Sequence, residues 1–384
     1  MPWKELRALD LRTAMLREWL EKEYGITELS SRYGVSRKTV YKWIERYQNG
    51  ELEGLEELSK APHRHPNATS GEIVKAIVDM KVRKMNWGPK KILSKLRADH
   101  PDVPWPADST GNEILKRRGF VHPRKYRRHV PPYTEPFLGC DAPNKVWSAD
   151  YKGQFRMGNG RLCYPLTISD NYSRYLLGCW GLTRPTLEQT RPFFEWVFRH
   201  NGLPEAIRSD NGIPFASSGL GGLSRLSVWF IQLGIRPERI QTGCPEQNGR
   251  HERMHKTLKE ETASPPRYNL EQQQKAFNRF QAEYNNERPH EALGQKPPGS
   301  VYRPSPRPFP QRPPKIEYDG SAIVRSVHTN GCIKWKSNSI FLSETLIGEY
   351  VSLTPVDSHL WAVAYSFYPL GILEERNLII KPYR

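Results

Sequence analysis

Three short segments near the middle of the chain decide the fold of its largest part. They are NKVWSADYKGQFRM (144–157), RLCYPLTISD (161–170) and SRYLLGCWGL (173–182). Each is rich in aliphatic and aromatic residues, and the turn signals GNG and DNYS separate them. Because short turns join neighbouring antiparallel strands, the segments predict three sequential antiparallel strands.

Helices and strands alternate beyond this point. In order, the expected elements are a helix from about Leu187 to His200, the strand EAIRSD (205–210), a helix around Leu223 to Leu233, the strand GIRPERIQ (234–241), a helix opening after PEQNG (245–249) and a helix in NLEQQQKAFNRFQAEYNNE (269–287). This interleaving predicts one α/β domain over residues 144–302.

The first fifty residues have the pattern of a helix-turn-helix domain, 1–50. In TELSSRYGVSRKTVYKWIERYQ (27–48), Thr27 caps a short helix, Gly34 makes the turn and Ser36 caps a second helix. That second helix leaves five residues on its outer face: Arg37, Lys38, Thr39, Lys42 and Arg46. Since the second helix of this motif enters the DNA major groove, these residues are candidate DNA contacts. A plain three-helix bundle with a basic surface is the alternative.

A second helical DNA-binding domain is expected at 71–121, after a linker at 51–70. Its helices are EIVKAIVDMKVRK, then GPKKILSKLRADHP, then a segment from about Asp108 to Arg118. Residues 122–143 read as a basic linker arm laid along phosphates, with four candidate DNA contacts: Arg124, Lys125, Arg127 and Arg128. A solvated linker explains this arm equally well.

Two regions follow the α/β domain. RPSPRPFPQRPP lies in a proline-rich linker at 303–315, which predicts a stiff spacer of polyproline type. Residues 316–384 contain short strand patterns such as AIVRSV, EYVSLTP and LWAVAYSFYPLGILEE. They predict a small all-β domain, a barrel or a sandwich. The fold class is therefore multidomain, with α-helical, α/β and all-β parts.

Composition indicates a polyanionic partner. The 384 residues carry 58 Lys and Arg against 41 Asp and Glu, a net charge of +17. Such an excess is typical of proteins that bind nucleic acid, although a basic protein charged for solubility is the alternative. The five cysteines form no CxxC pair, which makes a structural zinc site improbable. Neither a long apolar run nor a signal-peptide core is present, so a soluble, cytoplasmic protein associated with the nucleoid is expected.

Three carboxylates stand where a metal site could form. Asp150 lies in the strand VWSADYKG, Asp210 ends EAIRSD before an Asn-Gly turn, and Glu252 follows the NG of PEQNG on a basic helix. Two divalent cations held by such carboxylates can activate one oxygen and stabilise another in phosphoryl transfer. Each residue alone has an ordinary explanation, as a turn former or a solvated side chain. Asp170 and Glu195 are weaker candidates, in a turn and on an amphipathic helix.

Taken together, the motifs resemble a known family. Asp150 in its strand, Asp210 in IRSDNG and Glu252 in EQNGRHERMHKTLK look like the DDE catalytic core of insertion-sequence transposases and retroviral integrases. YNNERPHEALGQKPPGSVY (284–302) is similar to the close of that core, and the helix-turn-helix front resembles one bacterial insertion-sequence subgroup. The sequence departs from the family in two ways. The spacing of 42 between Asp210 and Glu252 (252 − 210) is longer than the compact family spacing, and a glycine-rich loop at 217–225 is expected to absorb the excess. The His/Cys zinc module of retroviral integrases is missing.

The resemblance implies an RNase H-like core, a five-stranded mixed sheet with helices on both faces. It implies that Asp150, Asp210 and Glu252 are both catalytic residues and metal ligands. The activity would be metal-dependent cleavage at transposon ends and strand transfer into target DNA. Two Mg²⁺ ions are expected because carboxylate ligands suit hard cations, with Mn²⁺ as a substitute.

The implied partners are the transposon ends, target DNA and further copies of the chain, in a dimer or higher oligomer on DNA and without a membrane. Lys256 and Lys259 lie four and seven positions after Glu252, on one helix face, and are candidate phosphate contacts; a solvated stripe is the alternative. Two other functions remain open. One is a non-catalytic DNA-binding regulator, and the other is a nuclease that cuts without joining.

Overall fold

A computed structural model describes residues 7–57, 68–121, 139–151, 153–241 and 249–383. The chain divides into two compact units, Met1–Ala68 and Thr69–Arg384. The basic arm expected at 122–143 falls almost entirely outside the described residues, as does most of the PEQNG turn. In the described part of the chain, none of the helices combines the length and the apolarity that crossing a membrane requires.

The first unit contains the helix-turn-helix motif that the sequence predicts, but the cap expected at Thr27 is wrong, because Gly25 precedes the first helix of the motif and Thr27 lies inside it. Its helices are α1 (Ala8–Leu20), α2 (Ile26–Arg32) and α3 (Arg37–Gly50). Ser36 begins α3, since its Oγ accepts a hydrogen bond of 3.2 Å from the Thr39 N–H. The inner face of α3 packs Val40, Trp43 and Ile44 into the small core of the unit.

Three more helices open the second unit: α4 (Gly71–Arg83), α5 (Pro89–Asp99) and α6 (Asp108–Arg117). They pack around Trp87, which is 1% exposed. Lys84, just after α4, pairs with Glu283 of the α/β region at 2.7 Å. These helices are therefore attached to the α/β region through a polar contact.

The predicted three-strand start is confirmed. The strands are β1 (Val146–Tyr151), β2 (Phe155–Arg156), β3 (Leu162–Asp170), β4 (Leu176–Leu182), β5 (Ala206–Ser209) and β6 (Arg236–Arg239). Within the described ranges the sheet runs β4-β3-β1-β5-β6, and β2 pairs with the start of β3. β3 is antiparallel to β1 and β4, whereas β5 is parallel to β1 and β6. This is a mixed sheet of the expected kind.

Helices cover both faces of the sheet. On one face, α7 (Leu187–Asn201) and α8 (Arg225–Gln232) enclose an aromatic core with Trp147. On the other, α9 (Gly249–Thr262) and α10 (Leu270–Asn286) enclose a second core with Cys163 and Cys179. The site that follows lies on the α9 face.

The motif after α10 closes this second layer. Asn285 Oδ1 accepts a hydrogen bond of 2.8 Å from the Leu176 N–H, and Arg288 pairs with Glu261 of α9 at 2.8 Å. Arg288 is buried, so this ion pair is shielded from water and holds the motif against α9.

The proline-rich segment is attached to the α/β region. Residues 303–314, all of them described, form neither helix nor strand. However, Arg307 donates hydrogen bonds to the carbonyls of Pro204 at 2.7 Å and Leu233 at 3.1 Å, and Phe309 packs on the aromatic core. The segment therefore packs against the α/β region instead of spanning open solvent, and its polyproline-type conformation stays a prediction.

The C-terminal region is all β. Its strands are β7 (Ile323–Ser326), β8 (Cys332–Trp335), β9 (Asn338–Phe341), β10 (Tyr350–Asp357), β11 (Leu360–Tyr365), β12 (Tyr368–Glu374) and β13 (Ile379–Pro382). Five form a sheet in the order β13-β12-β11-β10-β7, and β8 pairs with β9. Val228 and Ile231 of α8 pack into the core of this region, so it shares a core with the α/β region.

Candidate active site

Strand pairing sets two of the predicted carboxylates side by side. Ala149 of β1 pairs with Ser209 of β5 in parallel register, and Asp150 and Asp210 each come one position later. Neighbouring strands lie about 4.8 Å apart, and residues level with each other point to the same face. Because Ala149 packs into the α7–α8 core, Asp150 points to the face that α9 covers, and Asp210 directly follows the end of β5.

Asp210 sits in a turn that is held at two points. Gly212 donates its N–H to Asp210 Oδ1 at 3.2 Å, and Asn211 Nδ2 donates to the Ile240 carbonyl at 2.9 Å. Burial raises the pKa of the Asp210 carboxyl above its usual value, and the Gly212 hydrogen bond offsets part of this rise. A bound cation would favour the charged carboxylate.

Helix α9 turns one face to the sheet and one to solvent. Met254 and Leu258 are buried in the second core, as the sequence predicts. Glu252 and Lys259 are exposed, and Lys256 is exposed and lies 3.8 Å from Glu260. Glu252 therefore lies on the solvent side of α9, two positions before the buried Met254.

Two histidines on α9 that the sequence did not single out, His251 and His255, are buried, each 2% exposed. The side chain of Thr167, which pairs with Asp150 across β1 and β3, contacts both. Its Oγ lies 2.7 Å from His251 Nε2 and 2.6 Å from His255 Nε2. Ser169 Oγ lies 3.0 Å from His251 Nδ1. We refer to Thr167, Ser169, His251 and His255 as the hydroxyl–imidazole cluster.

This cluster reaches Asp150. Thr167 Oγ donates a hydrogen bond of 3.2 Å to the Asp150 carbonyl, and His255 Nδ1 lies 3.7 Å from Asp150 Oδ2. Among the described residues, Asp150, His251 and His255 form a group of possible ligands within 4.8 Å of one another, and Asp210 and Glu252 are not in that group. Burial lowers the pKa of His251 to about 3, so its ring is neutral at neutral pH.

A buried ion pair joins β5 to β6. Arg208 lies on β5, two positions before Asp210 in sequence. Its Nη2 lies 2.9 Å from Glu238 Oε2 on β6, and both side chains are about one-tenth exposed. A guanidinium is thus fixed near the ends of β1 and β5, and Glu238 is engaged by it.

The two weaker carboxylate candidates have other partners. Asp170 is 1% exposed, and it accepts hydrogen bonds from the Ser173 N–H at 2.7 Å and the Asn144 N–H at 2.8 Å. It organises the turn between β3 and β4, as expected. Glu195 pairs with Arg191 at 3.0 Å on α7 instead of being merely solvated. Both therefore have structural partners.

The DNA-contact candidates on α3 differ in exposure. Arg37, Lys38 and Lys42 are exposed, and Thr39 is half-buried. Arg46 donates a hydrogen bond of 2.7 Å to the Glu56 carbonyl and lies 4.7 Å from the Trp43 ring, so it supports its own unit. Arg124, Lys125, Arg127 and Arg128 fall outside the described residues.

The carboxylate oxygens of Asp150 and Asp210 are ligand atoms that suit a divalent metal ion. Two carboxylates level with each other on adjacent strands repel unless a cation or a proton lies between them. Carboxylate oxygens are the ligands that hard cations such as Mg²⁺ prefer. The Nε2 atoms of the neighbouring imidazoles lie at hydrogen-bond distance from Thr167 Oγ instead.

Comparison with protein families agrees with this architecture. Residues 141–245 and 233–298 match two models described as an integrase core domain. Residues 12–74 match a model described as a winged helix-turn helix. The first two matches span the sheet, the two aspartates and α9.

Individual proteins also resemble this chain. A 31.7 kDa protein of insertion element IS407 from Burkholderia multivorans is 27% identical over 180 residues, covering 45% of this chain and 60% of that protein. A 39.2 kDa protein of insertion element IS476 from Xanthomonas euvesicatoria is 25% identical over 253 residues, covering 63% and 68%. A simian T-cell lymphotropic virus intasome structure covers 76% of this chain and 97% of its own, with 16% identity and a TM-score of 0.37. The chain thus carries an integrase core domain behind an N-terminal helix-turn-helix unit, and its relatives include proteins of bacterial insertion elements.

Proposed function

We propose that the chain is a DDE-type DNA transposase that cleaves the ends of an insertion element and joins them to target DNA. The observation that carries the proposal is the parallel pairing of Ala149 with Ser209 inside an integrase core, because it sets Asp150 level with Asp210. α9, which bears Glu252, packs across the same face. Acting on chromosomal DNA, the protein would work at the nucleoid in the cytoplasm.

In this mechanism Asp150, Asp210 and Glu252 would hold two Mg²⁺ ions. Such ions would supply activation of the attacking oxygen and stabilisation of the leaving oxygen. The chain itself supplies the rigid frame. Gly212 and Asn211 fix the turn at Asp210, and β1 fixes Asp150 from the middle of the sheet. Water attack frees a 3′-hydroxyl at the element end, and that hydroxyl then attacks the target strand.

Basic surfaces bring the DNA to these carboxylates. Lys256 and Lys259 are exposed on α9 and follow Glu252 by four and seven positions, which puts them along one side of the helix. Arg37, Lys38 and Lys42 on α3 contact the terminal sequence. Joining requires two element ends at once, so a dimer or larger assembly of the chain on DNA is part of the proposal.

The proposal is tested with labelled duplexes carrying the ends of the encoding element, incubated with the protein, Mg²⁺ and unlabelled target DNA. We expect labelled strands joined covalently to the target. Cleaved strands without joined products would identify a nuclease. DNA binding with intact strands under all metal conditions would identify a non-catalytic regulator.

Replacing Lys256 and Lys259 together by alanine should weaken crosslinking to the terminal nucleotides and slow cleavage. Each lysine that neutralises a phosphate releases counterions, so the double variant should also reduce the salt dependence of binding by about two units of log–log slope. Melting should hardly shift, since the exposed pair of Lys256 with Glu260 is worth about 0–1 kcal/mol.

Lys275→Ala is the matched control for this pair. Lys275 is an exposed lysine on α10 with the same kind of pair, at 2.7 Å from Glu271. It should crosslink and cleave like the wild type. If the double variant behaves like this control, Lys256 and Lys259 are solvated charges without a role in DNA binding.

A further inference from the structure

The hydroxyl of Thr167 has an unusual number of partners for a buried group. Thr167 is 0% exposed, and its Oγ lies within 3.2 Å of the Asp150 carbonyl oxygen and of Nε2 of both α9 histidines. It belongs to β3, the carbonyl belongs to β1 and the imidazoles belong to α9. One oxygen atom therefore joins three elements of the candidate active site.

Proton accounting assigns the direction of each hydrogen bond. A hydroxyl has one proton to donate and two lone pairs, whereas a carbonyl oxygen only accepts. With the Thr167 proton given to the Asp150 carbonyl, both imidazoles must donate Nε2–H to the Thr167 oxygen. His251 Nδ1 then accepts the proton of Ser169 Oγ at 3.0 Å. The assignment uses every donor in the hydroxyl–imidazole cluster once.

These bonds are directional, unlike the apolar contacts of α9. Met254 and Leu258 pack against apolar neighbours and tolerate small rotations and shifts of the helix. Two hydrogen bonds from successive turns of α9 to one atom of β3 fix both the rotation and the axial position of α9. Glu252 lies between His251 and His255 in sequence, so its position relative to Asp150 is fixed by the same atom.

We propose that Thr167 is a positioning residue that sets α9, and with it Glu252, against Asp150 for metal binding. The inference rests on the proposed function, because it takes Asp150 and Glu252 as metal ligands. The distance of 3.7 Å from His255 Nδ1 to Asp150 Oδ2 exceeds a hydrogen bond. The histidines therefore act through Thr167 and not by gripping the carboxylate directly.

The test measures Mn²⁺ binding to the full chain in the absence of DNA, with electron paramagnetic resonance as the readout. Thr167→Val keeps the shape of the side chain and removes the hydroxyl. We expect it to weaken Mn²⁺ affinity at least about tenfold, as loss of outer-shell partners of metal ligands commonly does. Thr167→Ser should restore affinity to near wild type. Thr262→Val is the control: it removes another buried hydroxyl of α9, one that donates to the Leu258 carbonyl at 2.7 Å, and should bind Mn²⁺ nearly as wild type does.

Wild-type affinity in Thr167→Val would overturn the inference. Tighter binding would do so as well, since freeing two imidazole nitrogens strengthens a site that they ligate directly. Asp150→Asn serves as the reference for the proposed function: if it binds Mn²⁺ like the wild type, the metal site itself is wrong and both proposals fail. If Asp150→Asn loses Mn²⁺ binding while Thr167→Val keeps wild-type affinity, this inference alone is overturned and the proposed function stands.

A second measurement does not depend on how well the valine variant folds. In the wild-type chain with ¹⁵N-labelled histidine, the ring shifts of His251 and His255 should report Nε2–H and unprotonated Nδ1. Substitution of each histidine in turn by glutamine assigns the signals. Protonation at Nδ1 alone in either ring would contradict the hydrogen-bond assignment and with it the role of Thr167.

Discussion

Asp150→Asn and Asp210→Asn should each lower DNA cleavage on the order of 10³-fold or more, while DNA affinity stays near wild type. Metal ions supply several kcal/mol of transition-state stabilisation, and each 1.36 kcal/mol is a factor of ten in rate. Asparagine keeps the size of the side chain but removes the charge that holds the cation. Glu252→Gln should have the same effect. Cleavage rates on labelled ends and gel-shift affinities measure the two quantities separately.

Asp170→Asn is the informative control for these variants. Asp170 is also a buried aspartate of the sheet, but its carboxylate accepts hydrogen bonds from Ser173 and Asn144. Its substitution should lower the melting temperature and leave the dependence of cleavage on Mg²⁺ unchanged. If Asp150→Asn, Asp210→Asn or Glu252→Gln cleaves at the wild-type rate in Mg²⁺, the carboxylate replaced in that variant is not a metal ligand.

The local elements were predictable because their signals are local. Alternating apolar residues and turn residues indicated β1, β3 and β4, and a capping serine indicated the start of α3. The adjacency of Asp150 and Asp210 could not be derived in the same way. It depends on the parallel pairing of β1 with β5, which are separated by three strands and a helix along the chain.

The cluster next to Asp150 was missed for a different reason. His251 and His255 stand in a segment rich in lysine and arginine, yet they lie on the same buried face as Met254 and Leu258. Their spacing of three and four positions was the available signal. Their partner Thr167 lies on β3, so no pattern within α9 alone could reveal that the imidazoles are satisfied.

Helix α8 shows how a region that looks separate in sequence becomes part of the fold. RLSVWFIQ (225–232) is apolar almost all round, which is typical of a helix buried on every side. Leu226, Trp229 and Phe230 face the aromatic core, and Val228 and Ile231 face the C-terminal β region. The proline-rich linker suggested independent domains, but the apolar second face of α8 requires a cover.

Removal of the C-terminal β region should therefore destabilise the α/β region severely. In a chain ending at Lys315, Leu223, Val228 and Ile231, now 1%, 5% and 1% exposed, lose their cover. At about 1.5–3 kcal/mol for each buried side chain, the loss is roughly 5–9 kcal/mol. That is comparable with the whole stability of an ordinary domain, about 5–15 kcal/mol. We expect aggregation, or a much lower urea midpoint, in the truncated chain.

The same truncation also releases the loop that follows Asp210. Tyr368 donates a hydrogen bond of 3.2 Å to the Gly221 carbonyl, and Arg239 donates one of 2.7 Å to the same oxygen. Truncation with Val228→Glu and Ile231→Glu should recover solubility, because the uncovered face of α8 becomes polar. Cleavage should nevertheless stay low, since the loop has lost its Tyr368 anchor. A chain ending at Lys315 that is soluble and melts like the full chain would show that the C-terminal region does not support the α/β region.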